Sequence, residues 1–318
     1  MNFKNFNYIF LMGSSRSGTT WLQSIFLDHP QVAGTNLVEL RLFNDYAMPM
    51  LQSYEQTAEK FKNGSKVGLP PVMSREVLVQ KIKDFMLSVY QEVIPVNEQT
   101  RFIADKYPQY SLVPELIREI FPNSKAVHII RDGRDVVVSK MVKSEKRGKG
   151  YKKVKTAAHS WEECVVGGRR GKAIFGDNYH EIRYEDILYK GQETIKKLFD
   201  FCEIPADEAL VKHILDNNHY AVKSVSMPAE GIAAERFNRK KVWAKALTLE
   251  DRIEVARSVG YLLEELGYTQ PGEKWYANSP EEEKSANRML KSLARNQKIN
   301  KTKSKLKRLI KKRLLNRR

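Results

Sequence analysis

The sequence predicts an α/β protein: a doubly wound parallel sheet with helices on both faces, a P-loop-like first β-α turn and a basic C-terminal helical tail. Three observations predict this fold. Short apolar runs typical of buried strands alternate with stretches of helical periodicity. The first run leads directly into a glycine-containing turn and then a helix. At 318 residues, the chain can form one large core with small insertions.

The predicted strands are short, as expected for strands covered on both faces of a parallel sheet. The first strand leads into a glycine-rich turn, and the fourth is an apolar run that ends in a charged segment. The full set is predicted at 8–12, 32–34, 102–104, 125–130 and 180–184.

The predicted helices carry apolar residues three or four positions apart. Pro30 and Pro122 each end one helical pattern, and Gly267 ends the last, which Thr248 is predicted to cap. The helices are predicted to begin near positions 21, 75, 112, 136, 193 and 249.

The segment 44–75 breaks this alternation. It contains Pro49, Gly64, Gly68, Pro70 and Pro71, a composition typical of irregular chain. We therefore predict an insertion or lid near the ligand.

The turn after the first strand has the layout of a phosphate cradle. Gly13 and Gly18 allow the backbone N–H groups to turn inward, and the following helix adds the positive end of its dipole. Thr19 stands where a nucleoside-triphosphate P-loop has lysine, and Arg16 is the cation of the loop. The turn therefore suits a phosphate-like group other than a Mg²⁺-bound triphosphate. The alternative is an ordinary strand-to-helix turn, capped by Thr19 and Thr20.

Charged residues follow three of the predicted strands. Arg16 follows the first strand, Lys106 the third and Arg131 the fourth. Ligands of doubly wound sheets bind outside the carboxyl ends of the strands. We therefore expect these three cations to face one rim.

The net charge of +17 is concentrated at the end of the chain. Fifteen of the 55 Lys and Arg residues and none of the 38 acidic residues lie in 284–318, which leaves +2 for 1–283. Binding of nucleic acid or of a membrane would therefore depend on the tail. Residues 298–318 can form a cationic amphipathic helix for an anionic membrane surface or an acidic partner, or they can be a disordered extension.

The two cysteines and the lack of a long apolar run predict a cytoplasmic protein. If the tail binds a membrane, the protein would be located peripherally at that surface. Cys164 and Cys202 have no metal-ligand spacing, and both are predicted to be buried thiols. No apolar run approaches the roughly 20 residues of a spanning helix. We predict no metal site.

Two signatures in this chain resemble those of the sulfotransferases that use 3′-phosphoadenosine 5′-phosphosulfate (PAPS). The resemblance covers most of 7–270. It implies that the first loop, Arg16-Ser17-Gly18-Thr19-Thr20-Trp21, holds the 5′-phosphosulfate. The second signature runs from Ile130 to Ser139, and the resemblance places Arg131 and Ser139 on the 3′-phosphate.

The resemblance also implies a catalytic set. Transfer of a sulfuryl group to a hydroxyl needs a base and cations along the transfer path. Glu39 is the expected base, because a Golgi-type or tyrosylprotein-like branch of the family also carries Glu followed two residues later by Arg, here Arg41. The cytosolic branch has His where this chain has Pro108. Lys106 and Arg16 are expected on the sulfuryl or leaving-group oxygens. These features fit a soluble bacterial-type member.

Arg239 and Lys240 resemble a late basic loop of the family that reaches the 3′-phosphate. The implied domains are a sulfotransferase domain over 1–283 and a tail over 284–318. The implied acceptor is a hydroxyl on a carbohydrate, a tyrosine or a small alcohol, and no specific nucleic acid is expected.

Two other functions stay open at this point. A small-molecule kinase with an altered P-loop predicts Mg²⁺-dependent ATP binding, and the missing lysine counts against it. A nucleic-acid-binding protein acting through the tail predicts that the main activity needs 284–318.

Overall fold

The computed structural model describes residues 2–36, 38–64, 66–218, 242–292 and 295. The chain divides into two compact units, 1–240 and 241–318. The predicted domain limit at 283 remains a prediction. Arg239 and Lys240 lie outside the described residues, as does most of the predicted tail.

The first unit contains a five-stranded parallel sheet, which confirms the predicted α/β fold class. Its strand order is β2-β3-β1-β4-β5. Leu11 of β1 pairs with Lys106 of β3, and Gly13 pairs with Ile129 of β4. The strands are β1 (Asn7–Gly13), β2 (Val32–Gly34), β3 (Phe102–Lys106), β4 (Lys125–Ile130) and β5 (Tyr179–Arg183).

Nine helices of the first unit lie within the described residues. Their bounds are α1 (Thr19–Leu27), α2 (Met48–Lys62), α3 (Arg75–Val93), α4 (Pro114–Ile120), α5 (Gly133–Arg147), α6 (Val154–Phe175), α7 (Tyr184–Tyr189), α8 (Gly191–Cys202) and α9 (Glu208–Asn217). Short 3-10 turns cover Phe3–Asn5, Pro108–Leu112 and Gly176–Asn178, and a π-helical turn covers Leu42–Ala47.

Alternate residues of the central strand face two separate apolar cores. Phe10 and Met12 belong to the core that also includes side chains of α2, α3 and α4. Ile9 and Leu11 belong to the core that includes side chains of α1, α8 and α9. Helices therefore cover both faces, as a doubly wound sheet requires.

The prediction that 44–75 is irregular is wrong for its first half. Residues 42–62 form the π-helical turn and α2. Pro49 lies in the first turn of α2, where a missing N–H breaks no helical hydrogen bond. Gly64 and Gly68 have positive φ and follow the helix. Only the second half of the segment is a loop. Elsewhere in the chain, the helix α6 was also not predicted.

Among its described residues, the second unit contains α10 (Trp243–Ala246) and α11 (Leu249–Glu265), and 280–292 are helical as well. The predicted cap of α11 is confirmed. The Thr248 side chain accepts from the N–H of Asp251, and the Asp251 carboxylate accepts from the N–H of Thr248. This reciprocal pair is a capping box.

His128 is a buried structural histidine of β4. Its Nδ1 lies 2.8 Å from the Tyr179 hydroxyl, and its Nε2 has no partner among the described residues. A Cβ at Gly168 of α6 would lie 2.5 Å from the ring, so the glycine makes room for it. Burial lowers the pKa of His128 to about 3.

This pKa predicts a loss of stability in acid. Between pH 6.5 and about 3 the unfolded chain binds a proton at His128 that the folded chain does not, so the free energy of unfolding falls as pH drops. The slope from this residue approaches about 1.4 kcal/mol per pH unit. Urea unfolding at several pH values should show a shallower slope for His128→Gln than for the wild type. The exposed His213→Gln should match the wild type, and equal slopes in all three proteins would refute the assignment.

Candidate active site

The first loop joins β1 to α1 and leaves the helix without a side-chain cap. Gly18 is the N-cap residue, in the left-handed region at φ +94°. Thr19 and Thr20 already lie inside α1, so neither acts as the cap. A Cβ at Gly18 would lie 2.6 Å from the ring of Tyr184, so this position needs glycine for space as well as for backbone conformation.

Several hydrogen-bond donors of this loop have no acceptor within the described chain. The Ser17 hydroxyl is buried and has no partner there. The N–H groups of Gly18, Thr19 and Thr20 make no hydrogen bond to any described residue. Unpaired N–H groups at a helix N-terminus, beside a buried hydroxyl, suit an anion.

Two arginines from neighbouring loops flank this turn. Arg16 has a left-handed backbone (φ 73°), and its Nε donates to Ser139 Oγ at 3.0 Å. Arg131 donates to the carbonyl of Arg16 at 3.4 Å, and its guanidinium lies 4.3 Å from the centre of the Tyr184 ring. The three residues predicted for the two ends of the donor, Arg16, Arg131 and Ser139, are thus brought together.

The loop after β4 is fixed by a buried ion pair. Asp132 caps α5 by accepting from the N–H of Arg134, and its carboxylate also accepts from the Arg134 guanidinium, at 2.7 Å from Nη2. Glu185 accepts from the N–H of Asp132, and the fully buried Trp161 donates to the carbonyl of Arg131. Asp132 and Arg134 therefore shape the loop that presents Arg131.

Glu39 and Lys106 form an ion pair at the end of β3. Lys106 Nζ donates to Glu39 Oε1 at 2.7 Å, and the side chains are 2% and 39% exposed. Lys106 is therefore not a surface lysine. Glu39 Oε2 makes no hydrogen bond within the described residues. The pair thus combines a buried cation with a carboxylate oxygen open to a second partner.

A buried acid lies next to Lys106 in the sequence and was not predicted as part of the site. The hydroxyls of Tyr90 and Tyr110 donate to Asp105 Oδ2 at 2.6 and 2.7 Å. Burial raises the pKa of Asp105, against the opposing effect of these hydrogen bonds and of the Lys106 charge. This network anchors the strand that carries Lys106.

Arg41 and Tyr107, which lie close in sequence to Glu39 and Lys106, contact each other. The Arg41 guanidinium lies 5.4 Å from the centre of the Tyr107 ring, and Arg41 also pairs with Asp45 at 2.9 Å. Burial raises the pKa of Tyr107, and the Glu39 charge acts in the same direction. Arg41 therefore has two partners of its own beside the Glu39 carboxylate.

The other predicted binding residue of the first loop, Trp21, lies in α1. Its indole N–H donates to the carbonyl of Asn218 at 2.9 Å, and its ring packs edge-on against Tyr184. Tyr184 thus contacts Trp21, Arg131 and the Gly18 position, although it was not predicted as part of the site. Its place directly after β5 is the signal that could have identified it.

No group of three or more His, Cys, Asp or Glu residues is arranged to hold a metal ion within the described part of the chain. In the same residues, no helix combines the length and apolarity needed to cross a bilayer.

The fold and the two loops define an α/β protein with a P-loop-like first turn. The chain belongs to the sulfotransferase family, whose family model matches residues 8–208, more than half of the sequence.

Individual relatives are distant. The chain is 24% identical over 260 residues to an uncharacterised protein of Aquifex aeolicus (strain VF5), covering 76% of this chain and 31% of that protein. It is 23% identical over 208 residues to the protein-tyrosine sulfotransferase of Drosophila melanogaster, covering 64% and 40%. The chain therefore spans only 31% to 40% of the length of these relatives.

A solved structure shares the fold. The sulfotransferase domain from the curacin biosynthetic pathway aligns with a TM-score of 0.50 at 18% identity, over 81% of this chain and 97% of that domain. This likeness supports the architecture of the sheet and its helices.

Removing the carboxylate of Asp132 should destabilise the protein strongly. Asp132→Ala deletes the cap of α5 and leaves the buried Arg134 guanidinium without this partner, which should cost about 3–5 kcal/mol. Urea unfolding followed by circular dichroism measures the loss. The double variant Asp132→Ala/Arg134→Met should recover much of it, because the buried charge is removed together with its carboxylate partner. Asp45→Ala, which breaks an exposed ion pair, should cost about 1 kcal/mol or less. A loss for Asp132→Ala as small as that of the control would contradict this role.

Proposed function

We propose that this protein transfers a sulfuryl group from PAPS to a hydroxyl group of an acceptor. The observation that carries the proposal is the Glu39–Lys106 pair, whose strand β3 adjoins the strand leading into the uncapped first loop. Membership of the sulfotransferase family supports the same reaction class.

The donor would bind across the loops after β1 and β4. Ser17 and the N–H groups of Gly18, Thr19 and Thr20 supply the unpaired donors for the 5′ end, with Arg16 beside them. Arg131 and Ser139 would hold the 3′-phosphate. Trp21, Arg239 and Lys240 complete the proposed donor set. A hydroxyl and backbone donors at a helix N-terminus bind such an anion without a divalent ion.

Glu39 would act as the general base. In the transfer, the acceptor oxygen forms a new bond to sulfur while the bond from sulfur to the phosphate oxygen breaks. Glu39 Oε2 would take the acceptor proton, since Oε1 already accepts from Lys106. Lys106 and Arg16 would neutralise the charge that develops on the sulfuryl and leaving-group oxygens.

The acceptor would be a hydroxyl of a carbohydrate, a tyrosine or a small alcohol. Residues 284–318 would contribute by binding an anionic membrane surface or an acidic partner, with the protein located in the cytoplasm and peripherally at that surface. This second role is separate from the transfer reaction, since the proposed donor residues all lie in the first unit.

Glu39→Gln should abolish most of the turnover while leaving donor binding intact. Glutamine keeps an acceptor for Lys106 but cannot take the acceptor proton, so kcat should fall by about 10²- to 10⁴-fold. Labelled PAPS with a panel of sugars, phenols and peptides measures turnover. Calorimetry with 3′-phosphoadenosine 5′-phosphate (PAP) measures donor affinity. Glu59→Gln, on the exposed part of α2, is the control. Turnover at the wild-type rate in Glu39→Gln would show that another group acts as the base.

Arg131→Ala should weaken PAP binding by roughly 10- to 100-fold, the effect of losing hydrogen bonds to a charged group. The control is Arg147→Ala, which removes an exposed charge from the far end of α5, the helix that follows the Arg131 loop. The wild-type protein should bind PAP with the same affinity in EDTA as in Mg²⁺, because the proposed site uses no divalent ion. If PAP does not bind, or if both arginine variants lose the same affinity, the proposed donor site is wrong.

A further inference from the structure

A cavity lies near the amino ends of β1 and β4, at the opposite end of the strands from the candidate active site. Its volume is about 430 Å³, within the range of small-molecule sites. Three segments line it: the chain entering β1, the middle of α3, and the turn between α4 and β4. Arg16 and Arg131 follow the carboxyl ends of β1 and β4, and Lys106 is the last residue of β3. The cavity is therefore separate from the proposed donor and acceptor sites.

The cavity is lined by two lysines and by no acidic residue. Lys83 Nζ lies 5.3 Å from the centre of the Phe121 ring, and no carboxylate of the described chain lies within ion-pair distance of it. Lys4 pairs with Asp84 at 3.6 Å, a contact between two well-exposed side chains. Exposed pairs of this kind are weak, so Lys4 can turn toward an anion at little cost.

Side-chain amides supply further hydrogen-bonding groups. Asn5, Asn7 and Asn123 line the cavity, and their side chains make no hydrogen bond within the described part of the chain. Each carboxamide offers two donors and an acceptor to a bound molecule.

The rest of the wall is mainly apolar; its two polar side chains, Gln80 and Ser124, already donate to Asp84 and to the carbonyl of Phe121. Phe6, Leu87 and Phe121 contribute to it. Tyr8 also lines the cavity, but its hydroxyl is already used because it donates to the carbonyl of Phe3 at 2.8 Å. An apolar wall beside a few convergent polar groups is the usual composition of a small-molecule site.

We propose that this cavity binds a small, flat organic anion. The apolar body of the ligand lies against Phe6 and Phe121, its carboxylate, sulfate or phosphate group lies by Lys83 and Lys4, and the amides bind its polar substituents. This site is independent of the transfer reaction, so evidence against either proposal leaves the other unchanged.

Naphthalene derivatives test the site in the full-length protein. The probes are 2-naphthyl sulfate, 2-naphthoate, 2-naphthyl phosphate and the uncharged 2-naphthol, titrated by their fluorescence and by calorimetry. At least one anion should bind saturably at millimolar or lower concentration, and 2-naphthol should bind roughly tenfold more weakly or less well still. Comparison of the three anions identifies the preferred acidic group.

Two pairs of variants locate the binding. Lys83→Met keeps the apolar stem but removes the charge, and should weaken binding roughly tenfold, whereas Lys81→Met on the exposed side of α3 should not. Asn123→Asp places a repelling charge at the exposed rim and should weaken binding similarly, with Asn63→Asp as its control. Arg131→Ala should bind the anion as the wild type does, which separates this cavity from the donor site.

The proposal fails if none of the three anions binds saturably. It also fails if both Lys83→Met and Asn123→Asp bind with wild-type affinity, or if Arg131→Ala alone abolishes binding. Because Asn123 is exposed, its variant gives a result even if Lys83→Met does not fold.

Discussion

The pairing of β1 with β3 on one side and β4 on the other is the constraint on which the candidate site depends. The chain enters the sheet at its centre with β1, forms the edge strand β2, returns to the place beside β1 with β3, and then adds β4 and β5 on the other side. The ends of β3, β1 and β4 are therefore immediate neighbours. This arrangement brings the first loop, Lys106 and Arg131 to one edge although more than a hundred residues separate the first from the last. The switch in direction at β1 leaves the crevice in which ligands of such sheets bind.

Much of this arrangement could be predicted from the sequence. Strands β1 to β4 were predictable because each is a short apolar run that ends in, or is followed by, a glycine or a charged residue. The fifth, β5, carries His180, Glu181 and Arg183, so its pattern is weaker. The cap of α11 was predictable because Thr248 and Asp251 have the spacing of a capping box. The roles of Glu39 and Lys106 were expected only from the family resemblance, and their contact was not predicted, since 67 positions separate the two residues and no local pattern links them.

Other features depend on packing that a sequence pattern does not reveal. Proline and glycine in 44–75 indicated irregular chain, but Pro49 occupies the one helical turn that tolerates it. The importance of Tyr184 arises from its contacts with Gly18, Trp21 and Arg131, which come from different parts of the chain. Asp105 is an acid within an apolar strand, and only the positions of Tyr90 and Tyr110 show how its burial is compensated.

The depth of Lys106 has a consequence for how the protein responds to ionic strength. Dissolved ions screen charges across water, with a Debye length of about 8 Å under physiological conditions, but they screen a buried charge much less. The ammonium of Lys106 is almost inaccessible to solvent, so its field at the sheet edge persists in concentrated salt. Attraction by cations that lie in contact with water, such as Lys284, Arg288 and Lys291, would fade under the same conditions. Raising the salt concentration would therefore separate the proposed binding of an anion at the sheet edge from the proposed adsorption through the basic end of the chain.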